Sequence, residues 1–118
     1  MFIRLIFFIA LLMPLTVVAD TQQEIDHLLS FVASTSCQYE RNGTYYSGKE
    51  ARDHINLKYE YYQSKIKTTE GFIKFSATKS NLSGEKYRIH CANKGVESTE
   101  EWLLSELQRY RKTFTPNE

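Results

Sequence analysis

Apolar residues recur at helical spacing in four separated stretches of the chain. From Asp20 to Ala33, Ile25, Leu28, Leu29 and Val32 follow i, i+3, i+4, i+7 spacing and predict a helix. Thr21 and Glu24 form a capping-box pair at its start, and His27 lies beside the stripe as a surface or half-buried residue. A second helix is expected from Lys49 to about Lys67. Ala51, Ile55, Tyr59, Tyr62 and Ile66 form its stripe, His54 and Lys58 lie at the stripe's edge, and Tyr61 points away. Its mixed charges (Glu50, Arg52, Asp53, Lys58, Glu60 and Lys65) read as a solvated face. A short third helix starts at a Thr68 cap, turns Phe72, Ile73 and Phe75 to the core, and ends near Lys79. The last opens on the capping box Ser98-Thr99-Glu100-Glu101 and runs to about Thr113. Leu103, Leu107 and Tyr110 line its inner face, and Arg109, Arg111 and Lys112 suit the negative end of its dipole.

Between the first two helices the pattern shortens to a period of two. Cys37 to Gly48 reads as a tight hairpin, because Asn42-Gly43 supplies the two positive-φ residues of a type I′ turn. Closing on that turn pairs Arg41 with Thr44, Glu40 with Tyr45, Tyr39 with Tyr46 and Cys37 with Gly48. Cys37, Tyr39 and Tyr46 then share one face, and Glu40 and Tyr45 the other. A further strand is expected from Tyr87 to Cys91, between polar loops at Ser80–Lys86 and Ala92–Glu97. A disulfide between Cys37 and Cys91 requires Cα atoms within about 7 Å and so sets this strand beside the hairpin. The expected fold is α+β, with about four helices packed on a small three-stranded antiparallel sheet and one disulfide.

The N-terminus changes where this domain is expected to reside. Arg4, the apolar run Leu5 to Met13, Pro14 and the small-residue site Val17-Val18-Ala19 fit a secretory signal cleaved after Ala19. The run is short for a bilayer about 30 Å thick, so no stable membrane insertion is expected after cleavage. Residues 20–118 then form a single small domain. The chain carries 15 basic and 14 acidic residues, and losing Arg4 leaves 14 of each. A neutral domain lacks the basic face that nucleic acid or anionic lipid requires. Two cysteines in an exported chain point to one disulfide, which closes a loop worth roughly 4 kcal/mol in the chain-entropy model. The competing metal site of Cys37, Cys91, His54 and His90 lacks ligand spacing, so no metal or other cofactor is expected.

Catalysis has thin support. Ser80 or Ser83 with His54 or His90 would make a nucleophile–base pair, but no G-x-S-x-G elbow is present. Glu40, Glu50, Asp53 and Glu85 supply carboxylates without a spacing that fits glycoside chemistry. The loop Ser83-Gly84-Glu85-Lys86-Tyr87 resembles the S-G-x-x-Y loop of periplasmic C-type lysozyme inhibitors, with Asn93-Lys94-Gly95 as a second, lysine-bearing loop. That resemblance implies insertion into an enzyme cleft.

A broader resemblance spans the domain. Cys37, Arg41-Asn42-Gly43, Glu50-Ala51, His54, Lys58-Tyr59, Phe72-Ile73, Ser80, Ser83-Gly84, Tyr87, Cys91 and Trp102-Leu103 resemble the YfeK-like family of small bacterial periplasmic proteins. The resemblance implies a periplasmic home and paired cysteines, and brings no reaction with it. The expected function is therefore a non-enzymatic periplasmic binding or envelope-associated protein, with a periplasmic or cell-wall-associated protein as partner. Its expected binding rim is Arg41, Tyr45, His54, Ser83, Lys86 and Tyr87. Inhibition of lysozyme or another cell-wall hydrolase through Ser83–Tyr87, and a small hydrolase using His54 or His90, are the alternatives.

Overall fold

Two hairpins build one sheet, and helices pack against a single face of it. The computed structural model describes residues 18–114. In chain order these form α1 (Thr21–Ser34), β1 (Gln38–Arg41), β2 (Thr44–Tyr46), α2 (Gly48–Tyr62), α3 (Thr69–Ser76), β3 (Arg88–Cys91), β4 (Gly95–Ser98) and α4 (Thr99–Lys112). The expected signal, residues 1–19, lies outside the described residues except for its last two positions. Among the described residues no helix is long and apolar enough to cross a membrane.

The β1–β2 hairpin has the expected register: Tyr39 faces Tyr46, Glu40 faces Tyr45 and Arg41 faces Thr44. Asn42 at φ +52° and Gly43 at φ +79° supply the turn. The expected Cys37–Gly48 pair does not form, because β2 stops at Tyr46 and Ser47 already caps α2. Gly48 starts α2 against the end of α1, where a Cβ would come within 2.4 Å of the Val32 carbonyl oxygen.

The sheet has four strands in the order β2-β1-β3-β4, one more than expected. The added strand is β4, in the stretch read as a loop. Gly95, Val96 and Glu97 are all exposed, so burial stamps no alternation on this edge. Backbone pairing with β3 alone makes the strand, with Cys91 opposite Gly95 and Ile89 opposite Glu97. On the covered face, Tyr39 and Ile89 enter a core with Ile25, Leu28 and Val32 of α1, Ile55 of α2, Phe72 and Ile73 of α3, and Leu103 and Leu107 of α4. Glu40, Tyr45, Arg88 and His90 carry the other face. Tyr45 is exposed, its ring meets His90 edge-on at 5.0 Å, and His90 bonds Glu40 at 2.6 Å.

Three helix boundaries differ from expectation. Asp20, not Thr21, caps α1, with Gln23 returning the bond to the Asp20 amide. Glu24 is thereby free to turn inward. α2 ends at Tyr62 and tightens into a 3-10 turn at Gln63–Lys65, while Ile66 still packs against the core. α3 ends at Ser76 rather than near Lys79, where the Ile73 carbonyl accepts from both the Ala77 amide at 3.0 Å and the Thr78 hydroxyl at 2.8 Å. Ser98 caps α4 by accepting from the Glu101 amide, as expected.

Glu24 ties three helices together. Its buried carboxylate accepts from Thr69 of α3 at 2.6 Å and from Arg111 of α4 at 2.6 and 3.0 Å. The Arg111 guanidinium is the main reason its pKa is held below the usual carboxylate range, with Thr69 assisting against the effect of burial. The disulfide joins Cys37, just before β1, to Cys91 at the end of β3, with Cα atoms 4.5 Å apart.

Two outcomes test this frame. Reducing Cys37–Cys91 removes a constraint worth about 4 kcal/mol and lowers Tm clearly by calorimetry; an unchanged Tm with the free thiols verified contradicts a stabilising role. Glu24→Gln costs about 2 kcal/mol at neutral pH, on the scale of lost charged hydrogen bonds. Because the folded pKa is depressed, this contribution is complete above the unfolded carboxylate pKa and fades as pH falls. The stability gap between variant and wild type therefore narrows in acid, and a pH-independent gap contradicts the ion-pair account.

Candidate functional site

The hairpin, α2 and the start of β3 converge at one end of the sheet. Arg41 is the last residue of β1, on the same face as Tyr39 two residues earlier. His54 and Lys58 stand one helical turn apart on α2. Tyr87 immediately precedes β3, with its backbone held between the Thr78 carbonyl and the Thr99 amide. These side chains line a cavity of about 380 Å³, closed on one side by Ser80, Asn81 and Leu82. A second lobe of about 350 Å³ shares Arg41, Tyr46 and His54 and reaches Tyr39 and Leu57.

One hydrogen-bonded chain runs through the site. Arg41 Nη1 lies 2.5 Å from His54 Nδ1, and Arg41 Nη2 donates to the Tyr46 hydroxyl at 3.2 Å. His54 Nε2 lies 3.2 Å from the Tyr87 hydroxyl. Lys58 Nζ donates to that same hydroxyl at 3.1 Å and to the Lys79 carbonyl at 2.7 Å. Arg41 Nη1 also lies 3.2 Å from His54 Nε2, but an arginine can only donate and its shorter contact makes Nδ1 the acceptor, which assigns the ring proton to Nε2 beside the Tyr87 hydroxyl. The cations also lie over aromatic faces, Arg41 at 5.1 Å from the Tyr46 centroid and Lys58 at 4.9 Å from that of Tyr87.

The electrostatics are one-sided. Among the described residues, neither Arg41 nor Lys58 forms an ion pair with a carboxylate. Burial, reinforced by the charges of Arg41 and Lys58, pushes the His54 pKa down to about 4. Burial also lowers the Lys58 pKa, with Arg41 adding to it, and burial raises that of Tyr87. Tyr39 is 1% exposed, and its hydroxyl has no hydrogen-bond partner.

The rim read from the sequence divides. Arg41, His54 and Tyr87 come together. Arg41 is half-buried, not exposed, and Tyr87 is a core residue. Ser83 stays outside the cavity lining, its hydroxyl donating to Asn42 Oδ1 at 2.6 Å and so fastening its loop to the hairpin turn. Tyr45 and Lys86 belong elsewhere. Tyr45 lies on the outer sheet face, and Lys86 lines a separate groove with Glu40, Glu85, Arg88 and Glu97, where opposite charges offset one another. Lys58, read as part of a solvated face, turns inward to Tyr87. Its i, i+4 relation to His54 at the stripe's edge was the available signal, and Tyr39 and Tyr46 carried none beyond their place in the hairpin.

The serine–histidine alternatives do not assemble. Among the described residues no serine hydrogen-bonds to a histidine: His90 is held by Glu40, His54 by Arg41 and Tyr87, and His27 by Glu106. Cys37 and Cys91 are bonded to each other, and no group of three or more potential metal-binding side chains gathers among the described residues.

A family model described as a family of unknown function (DUF5329) matches residues 19–111. The chain belongs to this family. The DUF5329 match runs from the start of the domain through nearly all of α4, so every residue of the cavity falls within it. No curated protein and no solved structure matches the chain.

The His54 environment has a direct spectroscopic consequence. Its ring resonances stay flat through neutral pH and titrate near pH 4, and Lys58→Met moves that titration upward. Because the folded pKa lies below the ordinary 6.5, the stability contribution of neutral His54 is complete above pH 6.5 and is lost as pH falls toward 4. A His54 titration near 6.5 in the folded DUF5329 domain contradicts the burial of its ring and the proximity of the two cations.

Proposed function

We propose that this protein is an exported, non-enzymatic binding protein whose site is the cavity between the hairpin tip, α2 and the Ser80–Tyr87 loop. The observation carrying this reading is the arrival of Arg41, His54 and Tyr87 from three separate elements at one concave site. Polar groups converging on a cavity of a few hundred Å³ are what small-ligand sites share. Among the described residues no serine meets either histidine weighed for catalysis, and the one that pairs with a carboxylate, His90 with Glu40, lies on the outer sheet face and not in the cavity, which favours binding over turnover.

Export rests on the signal pattern of residues 1–19 and on the Cys37–Cys91 bond, which persists in an oxidising compartment. The resemblance to YfeK-like proteins supports the bacterial periplasm as that compartment, with cell-wall fragments and envelope proteins as candidate partners.

A second reading keeps one specific support. Leu82 is fully exposed beside Ser83 on the loop that resembles the lysozyme inhibitors'. In that reading the loop enters the cleft of a cell-wall hydrolase.

The oxidised protein, presented to soluble peptidoglycan fragments, periplasmic extract and a lysozyme panel, decides between them. The cavity reading expects a partner whose capture is lost in Arg41→Ala and weakened in Tyr87→Phe, with both variants folded by circular dichroism. Tyr87→Ala is unsuitable because it would open a cavity in the core. Lysozyme inhibition lost in Leu82→Asp but kept in Arg41→Ala would transfer the function to the loop. Turnover of a fragment that requires His54 would overturn the non-enzymatic reading.

A further inference from the structure

The hydrogen bonds inside the cavity leave donors without acceptors. Tyr87 Oη accepts from Lys58 and from His54 Nε2, so its own proton has no protein acceptor. Tyr46 Oη accepts from Arg41, and its proton is likewise unmatched. The Lys58 ammonium has three protons and two protein acceptors. Arg41 directs its two terminal nitrogens at His54 and Tyr46, and its Nε–H has no bond among the described residues. Four donors left without protein acceptors around one space fit a ligand that brings acceptors and negative charge.

The carboxylates nearest this space are engaged elsewhere. Glu50 and Asp53 sit on the outer lip of the Tyr39 lobe. Glu50 accepts from the Ser47 amide at 3.2 Å, and Asp53 pairs with Arg52 at 2.9 Å. Neither neutralises Arg41 or Lys58.

We infer that this cavity is an oxyanion site: Arg41 and Lys58 hold a carboxylate or phosphoryl group of a small ligand, the Tyr46 and Tyr87 hydroxyls donate to it, and His54 fixes Arg41 and Tyr87 in place. Arg41 supplies directed donors and Lys58 a compact charge. The inference deepens the binding reading above by naming the chemical class of its ligand.

The test titrates the full, oxidised protein with inorganic phosphate, with acetate, and with phosphatidylglycerol vesicles, at ionic strength matched with chloride. Resonances of Arg41, His54 and Tyr87 report binding. Saturable shifts with phosphate or acetate are expected, and whichever binds more tightly identifies the group. Arg41→Gln and Lys58→Met each weaken that binding about tenfold or more, as loss of a charge-assisted bond predicts, while Arg52→Gln does not. Tyr46→Phe removes one hydroxyl from a half-buried ring and leaves the fold intact by circular dichroism, yet weakens binding about threefold or more. That combination separates a ligand role from a packing role, and it holds should the charge variants fail to fold.

Response to vesicles alone, or shifts no larger than those caused by chloride, overturns the oxyanion site. Unchanged affinity in folded Arg41→Gln and Lys58→Met does the same. Should phosphate and acetate fail while a fragment or protein partner still requires Arg41, the oxyanion inference falls and the binding reading stands. Loss of both removes both.

Discussion

The site depends on the register of one hairpin. Asn42 and Gly43 both adopt positive φ, which closes β1 on β2 with no slack. A slip of one residue would turn every side chain of β1 to the other face of the sheet. Tyr39 would leave the core, and Arg41 would point at the outer groove instead of at His54. The Cys37–Cys91 bond secures the other end of the same strand, where β1 runs antiparallel to β3 with Tyr39 opposite Ile89. A strand fixed at its turn by backbone conformation and at its start by a covalent bond holds Arg41 in place without a carboxylate partner.

The cavity carries an electrostatic cost: it gathers two cations around a histidine that burial already keeps neutral. Elsewhere the same chain matches its charges closely. Glu24 meets Arg111 and Thr69, Glu106 meets Arg109 and His27, and Glu40 meets His90. The contrast lies between a frame whose charges are satisfied internally and one place where donors of a single kind accumulate. An ion-paired frame tolerates such a place because α1, α3 and α4 are tied together away from it.

Much of the frame was legible from residue spacing. The stripes Ile25-Leu28-Val32, Ala51-Ile55 and Leu103-Leu107 bury as their helical periods require, and the Asn-Gly turn and the cysteine pair stand where local chemistry sets them. β4 was not legible, because an exposed edge strand carries no alternation and exists only through its pairing with β3. The inward turn of Glu24 was equally hidden. A glutamate in the first turn of a helix ordinarily caps or faces solvent, and only the approach of Thr69 and Arg111 from distant elements makes burial favourable.

The candidate site shows where local reasoning stops. Arg41, His54 and Tyr87 were singled out as part of an expected binding rim, but so were Tyr45 and Lys86, which strand alternation and the loop's path carry to the other face. Lys58 looked like one charge among several on a solvated helix. What the sequence by itself determined is the four helices with their buried stripes, the first hairpin with its register, β3 and the covalent tie, all set by contacts within a few residues or by a bond with only one possible partner. What only the tertiary structure decided is which polar side chains meet. That depends on how α2 lies across the hairpin and where the Ser80–Tyr87 loop closes, and long-range packing sets both.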